Sequence, residues 1–215
     1  MTLYHVTRSF RTRVARSERV LAMAEAFGLG LEEKEFHVFQ NLPIEIDRGD
    51  VVYITGQSGS GKSQLLRELT RQMREEGLVV ADIDQVKLED QALIDQIGAN
   101  MQEAIELLSR AGINDAYLAI RRPEELSDGQ RYRLRLAKLM ESNADVWVAD
   151  EFGAVLDRET AKVVSYNAQK LARARGVTLM VATTHTDLVE ELAPSITVTK
   201  RFQERVNITR GVSNP

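Results

Sequence analysis

The chain of 215 residues contains no cysteine and only four prolines, and aromatic residues make up 6% of it. The absence of cysteine excludes a disulfide framework and thiol chemistry. No apolar run approaches the roughly 20 residues that span a bilayer, and no secretory signal is recognisable. The net charge is −4, so no global basic character indicates nucleic acid. We expect one cytoplasmic α/β enzyme domain, or a subunit that docks on a separate membrane protein.

A glycine-rich segment is the most informative feature that is present. Residues 56–63 read G-x-x-x-x-G-K-S, after the β-branched run 51–55 and before a stretch with helical spacing. The glycines let successive amides turn inward, and the helix N-terminus adds partial positive charge. The pattern predicts that Lys62 contacts the β- and γ-phosphates of ATP and that Ser63 binds Mg²⁺. The predicted nucleotide-binding residues here are Gly56, Gln57, Ser58, Gly59, Ser60, Gly61, Lys62, Ser63 and Gln64.

A hydrophobic strand that ends in two carboxylates forms the second motif, D-V-W-V-A-D-E at residues 145–151. Strands of a parallel sheet are apolar throughout, and their carboxyl ends open into the crevice where ligands bind. We therefore predict that Asp150 holds Mg²⁺ and that Glu151 is the general base for an attacking water. The alternative is an ordinary Asp–Glu pair that opens a solvated loop.

Three further segments follow one another in a recognisable order. Residues 126–130 read LSDGQ and lead into a helix, residues 154–157 read AVLD, and the apolar strand 179–184 is followed by His185. Taken alone, LSDGQ is also a plain helix N-cap. With the two motifs above, residues 40–200 resemble the ATP-binding cassette (ABC) ATPases, whose signature is usually LSGGQ.

This resemblance implies an α/β P-loop NTPase fold of the ABC type, with a mostly parallel sheet and a short helical subdomain at about 88–140. Residues 1–30 are expected to be a basic N-terminal arm and helix, and residues 31–215 the ATPase domain. ATP and Mg²⁺ are the implied cofactors. The resemblance implies an ATP-dependent homodimer, with catalysis by Glu151 and His185. It also implies four further nucleotide-binding residues, namely Ser127, Gly129, Gln130 and Asp157.

Two departures from the family pattern are visible. Asp128 stands where glycine is usual, and its carboxylate is expected to weaken closure on ATP or to set partner choice. The stretch 62–127 is short for a transporter subunit. Gln85 is our candidate for the family's Q-loop glutamine, a catalytic and metal-binding position, with Gln91 and Gln96 as alternatives.

The aromatic side chain that stacks on adenine is left open between Phe27 and Phe36. A core phenylalanine is the alternative for either one.

The biological role is expected to be that of a soluble, non-transporter ATPase associated with nucleic acid or a partner protein. Five N-terminal arginines fit a solvated terminus, a nucleic-acid or partner contact, or a transit peptide: Arg8, Arg11, Arg13, Arg16 and Arg19. One alternative is the nucleotide-binding subunit of an ABC transporter, which needs a membrane partner. Another is a regulatory module that recruits an acetyltransferase, because residues 14–31 resemble stand-alone ABC ATPases of which some are fused to that enzyme.

Local signals also predict the main elements. Helices are expected after the Ser17 cap, after Lys62 as far as Glu76, over 90–110 with an interruption at Gly98, and over 158–175. Strands are expected at 36–39, 44–46 and 78–81, with a closing hairpin at 195–199 and 205–209.

Overall fold

The structure, a computed structural model, describes residues 2–33, 35–201 and 204–211. It divides into two compact units, one from Tyr4 to Ile44 and the other formed mainly by the chain from Glu45 onward. No helix in the described ranges is long and apolar enough to cross a membrane.

The N-terminal unit contains two paired strands and one helix, namely β1 (Thr2–Arg11), α1 (Glu18–Phe27) and β2 (Glu35–Ile46). The first part of the predicted N-terminal arm is a strand, because Tyr4 and Val6 are buried in β1 at the spacing of a strand, while all five N-terminal arginines are exposed. The predicted helix is confirmed: the Ser17 hydroxyl accepts from the amide of Val20, and Gly28 ends α1 in the left-handed conformation.

The second unit is built on a six-stranded sheet. Its strands are β3 (Val51–Thr55), β4 (Val80–Asp82), β5 (Val146–Ala149), β6 (Thr178–Thr183), β7 (Ile196–Thr199) and β8 (Asn207–Arg210). Their spatial order is β4-β5-β6-β3-β7-β8, and all neighbours are parallel except β7 and β8, which form the predicted closing hairpin. The mostly parallel sheet predicted from the sequence is confirmed.

Helices pack against this sheet and against one another. They are α2 (Lys62–Glu75), α3 (Met101–Arg110), α4 (Ala116–Ala119), α5 (Asp128–Glu141), α6 (Arg158–Arg175) and α7 (Val189–Leu192). In α2 the buried side chains include Leu65, Leu66, Leu69 and Met73, as expected for an amphipathic helix. Helix α6 has the predicted bounds, with Gly176 as its left-handed C-cap.

The long helix predicted over 90–110 is wrong in its first half. Helix α3 begins only at Met101, where the side chain of Asn100 accepts from the amide of Glu103 at 3.0 Å. Gly98 has φ +75°, and a Cβ there would lie 2.5 Å from the amide nitrogen of Ala104. The chain therefore turns sharply at Gly98, and only the second half of the apolar pattern is helical.

The strand register brings the ends of three strands to one edge of the sheet. Thr55 of β3 is opposite Thr183 of β6, and Ala149 of β5 is opposite Val181. The segments that follow these strands, 56–63, 150–157 and 184–188, consequently leave the sheet side by side.

Candidate nucleotide site

The glycine-rich loop connects β3 directly to α2. Gly56, Gly59 and Gly61 all have positive φ, a conformation that L side chains rarely adopt. A Cβ on Gly56 would lie 1.8 Å from the carbonyl oxygen of Lys200, so glycine is required there by space as well. Because Gly61 provides no side-chain cap, the first amides of α2 keep their hydrogen-bonding capacity for an anion.

One cavity of about 510 Å³, here called the phosphate cavity, joins the loop to the carboxylates. Its lining comprises Ser58, Gly59, Gly61, Lys62, Ser63, Gln64, Asp150, Glu151, Ala154, Ala182, Thr183 and Thr184. The structure thus brings together six of the predicted loop residues and both predicted acidic residues. A volume of this size lies within the ordinary range of small-molecule sites.

Lys62 is the cation of this cavity. Its ammonium group donates to the carbonyl oxygens of Gly56 at 2.9 Å and Gln57 at 2.8 Å. Burial lowers the pKa of Lys62, and the nearby charges of Asp150 and Glu151 oppose that shift. The side chain is therefore held inside the loop.

The donors in the phosphate cavity fit magnesium. Ser63 and Asp150 line the same cavity, and a hydroxyl and a carboxylate are hard oxygen ligands. In the described ranges no three acidic or imidazole side chains are gathered into a metal-binding group. One hydroxyl and one carboxylate suit Mg²⁺, which proteins usually hold through one or two carboxylates together with substrate phosphates.

Glu151 stands in an unusual backbone position at the edge of the sheet. Strand β5 is buried throughout, and the chain turns immediately after Asp150. Glu151 has φ +48°, in the left-handed region that non-glycine residues seldom occupy. Its carboxylate is exposed and lies in the wall of the phosphate cavity.

His185 and Gln85 are not among the residues that line the phosphate cavity. His185 is half-buried; its amide donates to the hydroxyl of Thr183 at 3.1 Å, and its carbonyl accepts from the hydroxyl of Tyr53. Gln85 is exposed at the end of a short 3₁₀ turn that follows β4. The roles assigned to these two side chains stay predictions.

The two alternative Q-loop candidates, Gln91 and Gln96, differ in burial and in contacts. Gln96 is buried and holds its own loop, accepting from the amide of Glu89 at 3.1 Å and donating to the carbonyl of Gln91 at 3.1 Å. Gln91 itself is exposed.

The signature segment forms a complete helix cap. The Ser127 hydroxyl accepts from the amide of Gln130, and the Gln130 side chain accepts from the amide of Ser127 at 2.9 Å. Gly129 is closely packed, since a Cβ would lie 3.0 Å from the carbonyl oxygen of Val155. None of these three predicted nucleotide-binding residues lines the phosphate cavity of its own chain.

Asp128 and Asp157 have local partners. The Asp128 carboxylate, which is 84% exposed, pairs with Arg131 at 2.6 Å. Asp157 caps α6 by accepting from the amide of Thr160 at 2.9 Å and from its hydroxyl at 2.6 Å. The hydroxyl bond, followed by the amide bond, lowers the pKa of Asp157.

A second cavity of about 290 Å³ shows what the sequence analysis missed. It is lined by Asp84, Asp128, Arg131, Tyr132, Arg135, Asp150, Glu151, Ala154 and Val155. Burial, and then the charges of Asp82 and Asp150, raise the pKa of Asp84, while Arg135 opposes the shift. Asp84 was identifiable as an acid after a strand, whereas Tyr132 and Arg135 carry no signal beyond their helical spacing.

The adenine-stacking aromatic stays open. Phe27 is 71% and Phe36 is 45% exposed, so the alternative that either is a core residue is wrong. Phe36 stacks on Phe10, with ring centroids 5.5 Å apart.

Comparison with known proteins places this site in a family. The model of the AAA ATPase domain family matches residues 33–180. The methionine import ATP-binding protein MetN of Corynebacterium jeikeium is 29% identical over 85% of this chain, which spans 59% of that relative's length. The leukotoxin translocation ATP-binding protein LktB of Mannheimia glucosida is 28% identical over 66% of this chain and 25% of its own length.

Solved structures share the fold. A dimeric post-hydrolysis state of the ATP-binding cassette MJ0796, bound to ADP and Pi, superposes with a TM-score of 0.64 at 19% identity, covering 98% of this chain and 100% of that one. A bacterial Atm1-family ABC exporter with ATP bound gives a TM-score of 0.62 at 16% identity, covering 79% and 36%. The chain therefore belongs to the AAA ATPase domain family as the matching model defines it, and its fold is that of the ABC-type P-loop NTPases.

Proposed function

We propose that this chain binds MgATP in the phosphate cavity and hydrolyses it. The observation that carries the proposal is that one cavity is lined by Lys62 and Ser63 from the loop and by Asp150 and Glu151 from the end of β5. A cation, a hydroxyl and two carboxylates around one volume are the parts that phosphoryl transfer to water requires.

The residues divide the chemistry as follows. The amides at the start of α2 and the Lys62 ammonium bind the phosphate oxygens, and Ser63 with Asp150 would hold Mg²⁺. When bound there, Mg²⁺ would neutralise negative charge on the phosphates. Glu151 accepts a hydrogen bond from water and then its proton, while the water oxygen bonds to the γ-phosphorus and the bond to the β–γ bridging oxygen breaks.

Two substitutions separate binding from chemistry. Lys62→Ala is expected to abolish tight MgATP binding, because the main positive charge on the β- and γ-phosphates is removed. Glu151→Gln is expected to bind ATP and to lose roughly 10²- to 10⁴-fold in turnover, the usual contribution of a general base. Calorimetry measures the first effect and phosphate release the second.

The controls are exposed residues of the same type on α6, Lys170→Ala and Glu159→Gln. Both are expected to match the wild type. Equal ATP affinity in Lys62→Ala would contradict the loop assignment. Near-normal turnover in Glu151→Gln would move the base elsewhere, with His185 the next candidate.

We further propose that ATP binding and hydrolysis by this chain drive conformational change in a membrane protein partner. The relatives are named as ATP-binding proteins of import or translocation systems, which favours the transporter-subunit alternative over a nucleic-acid role. A mainly apolar groove of about 460 Å³ lies on the segment 94–120, and three of its side chains are strongly exposed: Met101 (64%), Ile105 (55%) and Ile120 (67%). Exposed apolar surface of this kind is typical of a protein interface.

Purification from native cells in mild detergent tests the partner. A membrane-spanning protein that accompanies the chain would agree with the proposal, and we then expect a cytoplasmic location at the membrane face. Recovery with an acetyltransferase instead would favour the regulatory alternative.

A further inference from the structure

The turn that carries Glu151 is strained and needs external support. Glu151 has φ +48°, and Gly153, two residues later, has φ +74°. A non-glycine residue persists in this region only when its surroundings hold it there. The contacts around the turn therefore decide where the Glu151 carboxylate stands.

Three backbone amides show what holds the turn. Phe152 donates to the carbonyl of Ala182 in β6 at 2.9 Å, and Ala154 donates within the turn to Glu151 at 3.0 Å. The amide of Gly153 donates instead to the hydroxyl oxygen of Tyr132, at 3.2 Å. The Tyr132 ring also meets the buried Phe152 ring edge-on, with centroids 6.5 Å apart.

Tyr132 belongs to α5, the helix that begins with the signature segment. It lies one helical turn after Asp128, and the two residues line the second cavity together with Glu151. The close packing of Gly129 against the Val155 carbonyl forms another contact between α5 and the same turn. A displacement of α5 is consequently transmitted to the backbone that follows Glu151, at Gly153 and Val155.

We propose that Tyr132 is a positioning residue for hydrolysis, whose hydroxyl ties the signature helix to the turn that carries Glu151. The inference rests on the proposed role of Glu151 as general base. Burial raises the pKa of Tyr132, so the phenol stays neutral and keeps its acceptor oxygen for Gly153. The tether makes the position of the base depend on the position of the helix that is expected to meet a partner's nucleotide.

Tyr132→Phe tests this directly, because it removes the hydroxyl and keeps the ring against Phe152. We expect kcat to fall about three- to tenfold, the range of one hydrogen bond, with KM for ATP and calorimetric MgATP affinity unchanged. Tyr166→Phe is the matched control, since Tyr166 is 49% exposed on α6. It is expected to leave kcat as in the wild type.

A double-mutant cycle distinguishes positioning from a general loss of structure. If Tyr132 acts through Glu151, then adding Tyr132→Phe to Glu151→Gln costs no further turnover. Tyr132→Gln restores an acceptor oxygen and is expected to exceed Tyr132→Leu in kcat. This pair keeps the inference testable if the phenylalanine variant folds poorly.

Different outcomes would contradict the Tyr132 tether and the proposed function. Unchanged kcat in Tyr132→Phe, or multiplied losses in the double variant, overturns the tether and leaves the proposed function standing. Full activity in Glu151→Gln would assign the general base to another group, and equal MgATP affinity in Lys62→Ala would overturn the proposed function itself. A parallel fall in kcat and ATP affinity in Tyr132→Phe also overturns the inference, because a positioning residue for the base leaves nucleotide binding intact.

Discussion

Two side chains of the signature segment cap α5 and still keep hydrogen-bond donors for a nucleotide. Ser127 caps α5 with a lone pair of its hydroxyl oxygen, so its own proton stays available for a phosphate oxygen. Gln130 likewise accepts from Ser127 through its carbonyl oxygen and keeps its amide hydrogens. A structural cap and a nucleotide contact are therefore compatible at both residues.

Asp157 gives a pH-dependent contribution to stability. Its pKa is lowered from the ordinary 3.8 by Thr160, so this contribution is complete above that value and is lost as the pH falls through the lowered pKa. Asp157→Asn keeps a capping oxygen but does not titrate. We expect the difference in free energy of unfolding between wild type and Asp157→Asn to shrink as the pH falls through and below about 4.

Guanidinium unfolding at a series of pH values measures this difference. Thr160→Val removes the hydroxyl donor, which is the largest cause of the shift, and keeps the backbone amide. It should reduce the pH dependence without abolishing it. A wild-type pH dependence in Thr160→Val would show that the hydroxyl bond is unimportant.

Elements with local signals could be predicted from the sequence, and those defined by distant contacts could not. Helix α6 is bracketed by Asp157 and Gly176, a cap and a stop that are both visible in the sequence. The segment before α3 has an apolar helical pattern, yet it is held by contacts that the pattern does not contain, such as the amide of Leu93 donating to the carbonyl of Arg121 at 3.0 Å. Strand β1 was missed because its arginines concealed the alternation of Tyr4 and Val6.

Some residues of the candidate site could likewise be predicted from the sequence, and others could not. Lys62 follows β3 across the glycine-rich loop, and Asp150 directly follows β5. The carboxyl ends of parallel strands open into one crevice, so the meeting of these two residues could be predicted. The contact of Tyr132 with Gly153 joins residues 21 positions apart, and no local pattern connects them. Sequence reasoning found the groups proposed for the chemistry and missed the group that positions one of them.

Strand β1 changes how the nucleic-acid hypothesis should be tested. Deleting residues 1–15 would remove a strand, so charge removal at exposed positions is cleaner: Arg8→Gln, Arg13→Gln and Arg16→Gln together. Since the partner that we propose is a membrane protein, we expect fluorescence anisotropy to show no binding of labelled duplex or single-stranded DNA or RNA at low salt. Binding by the wild type that is weaker and less salt-dependent in the triple variant would restore the nucleic-acid role.

The whole molecule divides its predicted nucleotide contacts between two places. The phosphate cavity contains the loop and the acidic pair, while Ser127, Gly129 and Gln130 lie outside its lining. The signature segment stands at the N-terminus of α5, an end that favours anions. A second copy in head-to-tail arrangement would bring each signature segment to the other chain's phosphate cavity.

ATP should therefore act as the link in a homodimer. Glu151→Gln, which binds ATP but cannot hydrolyse it, is expected to accumulate as a dimer with MgATP and to be monomeric without it, because a ligand that binds only the closed state stabilises that state. Light scattering measures the mass in both conditions.

Adding Ser127→Arg should block closure by bulk, while calorimetry still detects MgATP at the loop. Asp128 makes the comparison sharper: its carboxylate is exposed beside the expected phosphate position, so Asp128→Gly should lower the MgATP concentration needed for dimerisation. A Glu151→Gln protein that stays monomeric at saturating MgATP would exclude the symmetric homodimer, and a different ABC chain would then have to supply the opposing signature.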